Sequence, residues 1–295
     1  MTSFAYLNGR LVPETDAWVT IDDGGWLHGA GLFETMRAEH GRIFRLESHI
    51  ARLRQSAEAL LRPIAQEILP TPADFAALLE RNELRIARVR LTVSAGSMRG
   101  ARRDDAADDA DDGPALTVCA TVSPLGGYDA AAYRAGMGVV VSPYLLSPSD
   151  PLAAHKTTAR LSRLLGLRAA RAAGCDEALW FTTGHHLADG CVSNVFVVRG
   201  GVLKTPPVDT PVLPGIARGV VLELAADRDI ETQQCALTID DVLDADEVFL
   251  TNAIMQVMPV VRVEKRSIKD GQVGPIASRL LEAYRDIVQR ECAGG

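Results

Sequence analysis

Ser147-Pro-Ser-Asp-Pro-Leu-Ala-Ala-His-Lys156-Thr-Thr-Ala-Arg160-Leu-Ser-Arg-Leu-Leu-Gly-Leu-Arg-Ala-Ala-Arg-Ala-Ala-Gly174 is the stretch on which the fold turns. An irregular, proline-punctuated segment runs to His155 and passes at Lys156 into a helix expected over Thr157–Ala173, closed by Gly174. Met137–Ser142 before it and Glu177–Thr182 after it read as strands. Further out, strands at Val195–Arg199 and Val248–Leu250 alternate with helices near 215–226 and 275–290. Strand–helix alternation of this kind marks an α/β domain. A lysine at a loop-to-helix junction can be held rigidly while its amine points into a cleft.

The first third mixes strand and helix signals. Phe4 to Val12 reads as a hairpin around Asn8-Gly9. Leu46 to Leu61 has apolar residues at helical spacing, and a second helix is expected after Thr71-Pro72 with Phe75, Leu78 and Leu79 inward. Arg88–Ser94 and Ala115–Val122 alternate as strands. Between them, the charge run Arg102–Gly113 is expected to be a solvated, mobile loop. Ser123-Pro-Leu-Gly-Gly127 reads as a linker. The expectation is two α/β domains, 1–122 and 128–295, with the ligand site in a cleft between them.

Composition narrows the function. The 295 residues are 47% hydrophobic and 23% charged, the balance of a globular protein. A net charge of −7 argues against nucleic acid as a partner. No apolar run reaches the roughly 18–20 residues of a membrane span. The N-terminus lacks the basic and apolar regions of a signal peptide, and five cysteines without a CxxC pair suggest reduced thiols, so a cytoplasmic location without a metal site is expected. Lysine stands only at Lys156, Lys204, Lys265 and Lys269, so amine chemistry has four candidates. The last three read as surface charges.

Several segments with separate jobs surround Lys156 in order. Leu46-Glu-Ser-His-Ile-Ala-Arg52 sets His49 and Arg52 three apart on one helical face, with Arg52 expected to be free to grip a phosphate. Leu187-Ala-Asp-Gly-Cys-Val-Ser-Asn194 offers Asp189 as a buried-edge carboxylate. Leu213-Pro-Gly-Ile216-Ala217-Arg starts a helix whose backbone N–H groups suit an anion. Thr251-Asn252-Ala253-Ile-Met-Gln-Val-Met-Pro follows a strand and offers hydroxyl, amide and N–H donors.

Together these segments resemble the class IV aminotransferases, the fold type IV pyridoxal-phosphate enzymes, over almost the whole chain. The resemblance implies a two-domain α/β, D-amino-acid-aminotransferase-like fold and a homodimer. It implies that Lys156 carries pyridoxal 5'-phosphate as a Schiff base and later moves the Cα proton. It assigns the phosphate to Arg52, to backbone at Ile216 and Ala217 and to the Asn252–Ala253 segment. Asp189 stands where the family has a glutamate beside the pyridine nitrogen, with Asn194 five residues on as in the family. Aspartate keeps the charge that holds the ring nitrogen protonated, but is one methylene shorter.

Activity within the family turns on the groups that hold substrate. Candidates are His28, Arg37, Arg90 and Arg99, of which His28 and Arg99 could act in a neighbouring subunit's site. Ala159-Arg-Leu replaces the Asn-Tyr-Leu of many branched-chain members, and Asn252–Pro259 is similar to the aminodeoxychorismate lyases. Ala95-Gly96 stands where D-amino-acid transaminases and lyases tend to have Arg-Gly, and Phe33 where the D-amino-acid enzymes have tyrosine. A dianionic lyase substrate would be repelled by the acidic run after Arg103. The expected activity is therefore transfer of an amino group from an amino acid, D-amino acids included, to a 2-oxo acid. A lyase releasing pyruvate and p-aminobenzoate, and a non-catalytic pyridoxal-phosphate binder, are the alternatives.

Overall fold

The computed structural model describes residues 3–99, 115–126 and 128–294, so the Arg102–Gly113 charge run lies outside the described residues. The chain forms two compact units. The first comprises Met1–Gly126, Lys156–Ala159 and Cys292–Gly295; the second comprises Gly127–His155 and Arg160–Glu291.

In the first unit, β1 (Phe4–Leu7), β2 (Arg10–Pro13), β3 (Gly31–Glu39), β4 (Arg42–Ile43), β5 (Ala87–Ser94) and β6 (Thr117–Pro124) form an antiparallel sheet in the order β2-β1-β6-β5-β3-β4. The β1–β2 turn has positive φ at both Asn8 (47°) and Gly9 (85°), a conformation that an Asn-Gly pair adopts with little strain. The helices are α1 (Gly24–His28), α2 (Leu46–Leu60) and α3 (Pro72–Arg81). A Thr71/Asp74 capping box with Pro72 in the first turn starts α3, and its Phe75, Leu78 and Leu79 are buried as the spacing predicts. Sheet and helices enclose a core that includes Met36, Leu53, Leu78, Val89, Leu91 and Val118.

In the second unit, β7 (Met137–Leu146), β8 (Glu177–Thr182), β9 (Leu187–Gly190), β10 (Asn194–Arg199), β11 (Val202–Thr205), β12 (Thr232–Gln234), β13 (Glu247–Asn252), β14 (Gln256–Val263) and β15 (Arg266–Ser267) make one mixed sheet. Its order is β12-β11-β10-β13-β14-β7-β8-β9, with β15 on β14. The helices are α4 (Ala130–Ala135), α5 (Leu161–Ala172), α6 (Ile216–Ala226), α7 (Ile239–Leu243) and α8 (Pro275–Ala293). All six residues of β8 are buried, and they serve two cores by alternation: Leu179 and Phe181 on one face, Ala178 and Trp180 on the other.

Three expectations need correction. The helix expected at Thr157 begins at Leu161, because Thr157 bridges Leu32 and the Thr158 N–H donates to Gly31 O at 2.8 Å. Backbone pairing to β3 therefore groups Lys156 with the first unit, not with a C-terminal domain. The expected linker also starts late, since Ser123 and Pro124 still pair with Arg88 and Ala87 in β6.

Candidate active site

Lys156 is positioned by an open strand edge. The short β4 pairs with β3 only at Ala38 and Glu39, which leaves the Gly31–Phe33 edge for another partner. The Phe33 N–H donates to Lys156 O at 2.9 Å, and Thr158 Oγ1 donates to Gly29 O at 2.8 Å. Two glycines permit this approach. A Cβ on Gly31 would stand 2.9 Å from Thr158 Oγ1, and Gly29 has φ of +66° with Ala159 beside it.

The two faces of β3 then carry different chemistry. On one, the Phe33 ring has the Lys156 amine 4.7 Å and the Arg90 guanidinium 3.9 Å from its centroid. Arg90, on β5, is half-buried; its Nε donates to Thr92 Oγ1 at 3.3 Å, and no carboxylate among the described residues pairs with it. Burial, with Arg88 nearby, lowers its pKa from the arginine value. An open cavity of about 480 Å³ begins on this face, lined by Thr92, Ser94, Cys119 and Thr158 and by the apolar Val19 and Ile21.

The other face of β3 buries Glu34 against α2. Arg52 donates to it through Nε (2.8 Å) and Nη2 (2.6 Å), and His49 Nδ1 lies 2.7 Å from Glu34 Oε2. Burial pushes Glu34 up, but Arg52 and His49 outweigh it and hold the carboxyl at about 2. Burial pushes His49 down despite the opposing pull of Glu34. Arg52 is thus engaged twice by Glu34, where the sequence suggested a free guanidinium. Glu34 itself went unread; its signal was a carboxylate at the inward parity of a strand opposite a His-x-x-Arg helix face.

The remaining substrate candidates are placed differently. Arg37 is engaged by Glu39 Oε1 through Nε (2.8 Å) and Nη2 (2.5 Å). Arg99 is 79% exposed and pairs with Asp22 at 3.0 Å. His28 is exposed at the end of α1.

In the second unit, Asp189 is buried on the edge strand β9, and Arg163 Nη1 donates to its Oδ1 at 2.7 Å. Asn194 opens β10; its Nδ2 donates to Leu213 O at 2.9 Å, and a Cβ on Gly215 would strike its Oδ1. Asn194 thereby shapes the turn into α6, whose first residues, Ile216 and Ala217, follow an N-cap without a side-chain hydrogen bond. Beside α6, the Thr251 hydroxyl at the end of β13 is buried without a hydrogen-bond partner. Asn252 turns the chain: its Oδ1 accepts from Ile254 and Met255 N–H, and its Nδ2 donates to Val192 O, with Ala253 inside that turn.

The Lys156 amine at the strand edge and the Arg90 guanidinium thus share one aromatic ring. Residues 31–263 match the family model described as amino-transferase class IV, and the chain belongs to that family. It is a pyridoxal-phosphate-dependent aminotransferase. It is 36% identical over 288 residues to a provisionally named branched-chain-amino-acid aminotransferase of Methanocaldococcus jannaschii, covering 96% of this chain and 95% of the relative. Identity to the D-alanine aminotransferase of Listeria innocua serovar 6a is 27%, covering 97% and 96%. The structure of a T.th. branched-chain amino acid aminotransferase with pyridoxamine 5'-phosphate is similar at a TM-score of 0.85, with 28% identity over 100% of this chain and 97% of that one.

Proposed function

We propose that the enzyme transfers the amino group of an amino acid with an apolar side chain to a 2-oxo acid, Lys156 holding the cofactor and Arg90 the substrate carboxylate. The observation that carries this reading is the Phe33 ring shared by the Lys156 amine and the Arg90 guanidinium. The residues present fit pyridoxal phosphate: the orphaned Thr251 hydroxyl, the uncapped amides of Ile216 and Ala217 and the Asn252–Ala253 turn are donors for a phosphate dianion. Within the first unit Arg52 is a cation held in place by Glu34; within the second Asp189, with Asn194 shaping the adjoining turn, is an anion of the kind a protonated ring nitrogen needs. When bound, the cofactor supplies a carbonyl carbon for the amino group and an electron-withdrawing ring that acidifies the Cα–H bond. Lys156 takes that proton and returns it. Arg90 orients the substrate through its carboxylate, so that the Cα–H meets the amine.

A branched-chain L-amino acid is the first donor, on the name of the 36% identical relative. A D-amino acid is the second, on the Listeria relative and on the missing Asn-Tyr-Leu motif, where Arg160 instead donates to Cys191 O at 2.5 Å. Purified enzyme assayed with 2-oxoglutarate is expected to turn over L-leucine and L-valine; turnover of D-alanine alone selects the second donor. Release of p-aminobenzoate from aminodeoxychorismate, with all three donors inert, overturns the proposal.

We infer further that two copies pair in a reducing, cytoplasmic setting, where the five thiols stay free. Trp18 (72% exposed), Ile21 (76%), Trp26 (77%) and Leu27 gather an apolar surface in the first unit that an isolated chain would leave in water. Light scattering is expected to give a dimer mass for the wild type and a monomer for Trp26→Glu. A wild-type monomer at every concentration removes this part.

A further inference from the structure

We infer that Arg163 is a positioning residue that holds Asp189 ionised and fixes the orientation of its carboxylate. The inference rests on the reading that Asp189 serves the cofactor's ring nitrogen, and it concerns how a shortened acid does so.

The pair is built into α5. Arg163, Gly166 and Ala170 form the buried stripe of that helix at helical spacing. A Cβ on Gly166 would lie 2.8 Å from Cys191 Sγ and 3.1 Å from the Trp180 ring, so the helix can approach β8 and β9 only with glycine there. Close approach lays the Arg163 guanidinium over the Trp180 ring at 4.5 Å. Its Nη1 donates to Asp189 Oδ1 at 2.7 Å and to Gly190 O at 3.2 Å. Arg163 and Asp189 are each 6% exposed. Among the described residues the guanidinium has one carboxylate partner, is largely shielded from solvent, and engages the oxygen Oδ1. A guanidinium stacked on Trp180 and shared with Gly190 O directs its Nη1–H at Oδ1 and so biases the orientation of the acid it binds.

Charge points the same way. Burial pushes Asp189 up from the usual carboxylate range, and Arg163 is the chief opposing influence, followed by Arg160 and the Leu213 N–H. The other titratable groups nearby are already committed. Glu177 on β8 is occupied by the N–H groups of Ala178, Cys191 and Val192 and the Ser193 hydroxyl. The Cys191 thiol is pushed up to about 12 by burial and stays neutral. Without Arg163, the upward push of burial on Asp189 would lose its chief opponent, and the acid's hold on a protonated ring nitrogen would weaken. An aspartate reaches one methylene less far than the family's glutamate, so the direction in which its carboxylate is held matters the more.

Arg163→Gln keeps a donor and much of the bulk over Trp180 but loses the charge. In the holoenzyme it is expected to lower kcat roughly 10- to 100-fold with KM little changed, as partners that orient a contacting group do. It is also expected to raise the acid limb of the kcat profile, so that activity returns as pH increases. Arg163→Lys should keep the wild-type profile. Infrared difference spectra of cofactor-free protein supply a second readout: at neutral pH, R163Q is expected to show a protonated-carboxyl band that Asp189→Asn removes. An unmoved acid limb and no such band in R163Q, with only thermal stability lost, would reduce Arg163 to a pin between α5 and the sheet. Should R163Q not fold, a protonated Asp189 in the wild-type protein at neutral pH overturns the inference equally. The underlying reading fails separately, if Asp189→Asn keeps wild-type kcat and cofactor absorbance.

Discussion

Lys156→Ala is expected to abolish the violet absorbance of the lysine-linked cofactor and to lower kcat on the order of 10⁴-fold or more, the scale seen when the nucleophile of a catalytic set is removed. The fold should survive. What joins Lys156 to β3 is its backbone carbonyl, which accepts the Phe33 N–H at 2.9 Å and is unchanged by alanine. The side chain contributes its amine against the Phe33 ring, a contact that costs little to lose. The other lysines offer no substitute, for Lys204 lies on β11 and Lys269 pairs with Asp246 at 3.2 Å on the surface. Lys204→Ala should therefore leave both readouts untouched. An absorbance titration with pyridoxal phosphate and a stopped assay with L-leucine measure the two effects. A violet band retained in K156A would remove Lys156 from the centre of the chemistry.

Local signals in the sequence were read correctly where local physics decides the outcome. The Asn8-Gly9 turn, the capped start of α3 and the apolar run Ala178–Phe181 of β8 each depend on residues within a few positions. What escaped was set by partners far away in the chain. Thr157–Arg160 has nothing against helix, yet the open edge of β3 captures Thr157 and delays α5 to Leu161. Arg52 looked free because Glu34, on another element, could not be placed opposite it. Arg163 was one of several arginines in or beside one helix, with Arg160, Arg168 and Arg171. Only Gly166 meeting Trp180 makes Arg163 the buried one, and that contact is tertiary.

Glu34→Gln is expected to destabilise the protein by about 3–5 kcal/mol, because it leaves the Arg52 guanidinium buried against a neutral amide. For a chain of this size the melting temperature should fall by roughly 6–15 °C. The pH dependence tests the cause. Glu34 has a folded pKa of about 2 against an ordinary 4.5, so its contribution is complete above 4.5 and is lost as pH falls toward 2. That shift corresponds to about 3 kcal/mol. His49 acts earlier: its folded pKa is lowered, so the unfolded chain takes up a proton first and stability declines as pH falls through its ordinary value of 6.5. Wild type and E34Q should therefore differ most near neutrality and converge between pH 4.5 and 2, which urea melts across that range measure. Parallel loss in the two proteins would show that the Glu34 charge is not what Arg52 and His49 hold. The same substitution should raise the Kd for pyridoxal phosphate roughly tenfold or more, since an Arg52 released from Glu34 no longer presents its remaining donors in a fixed direction.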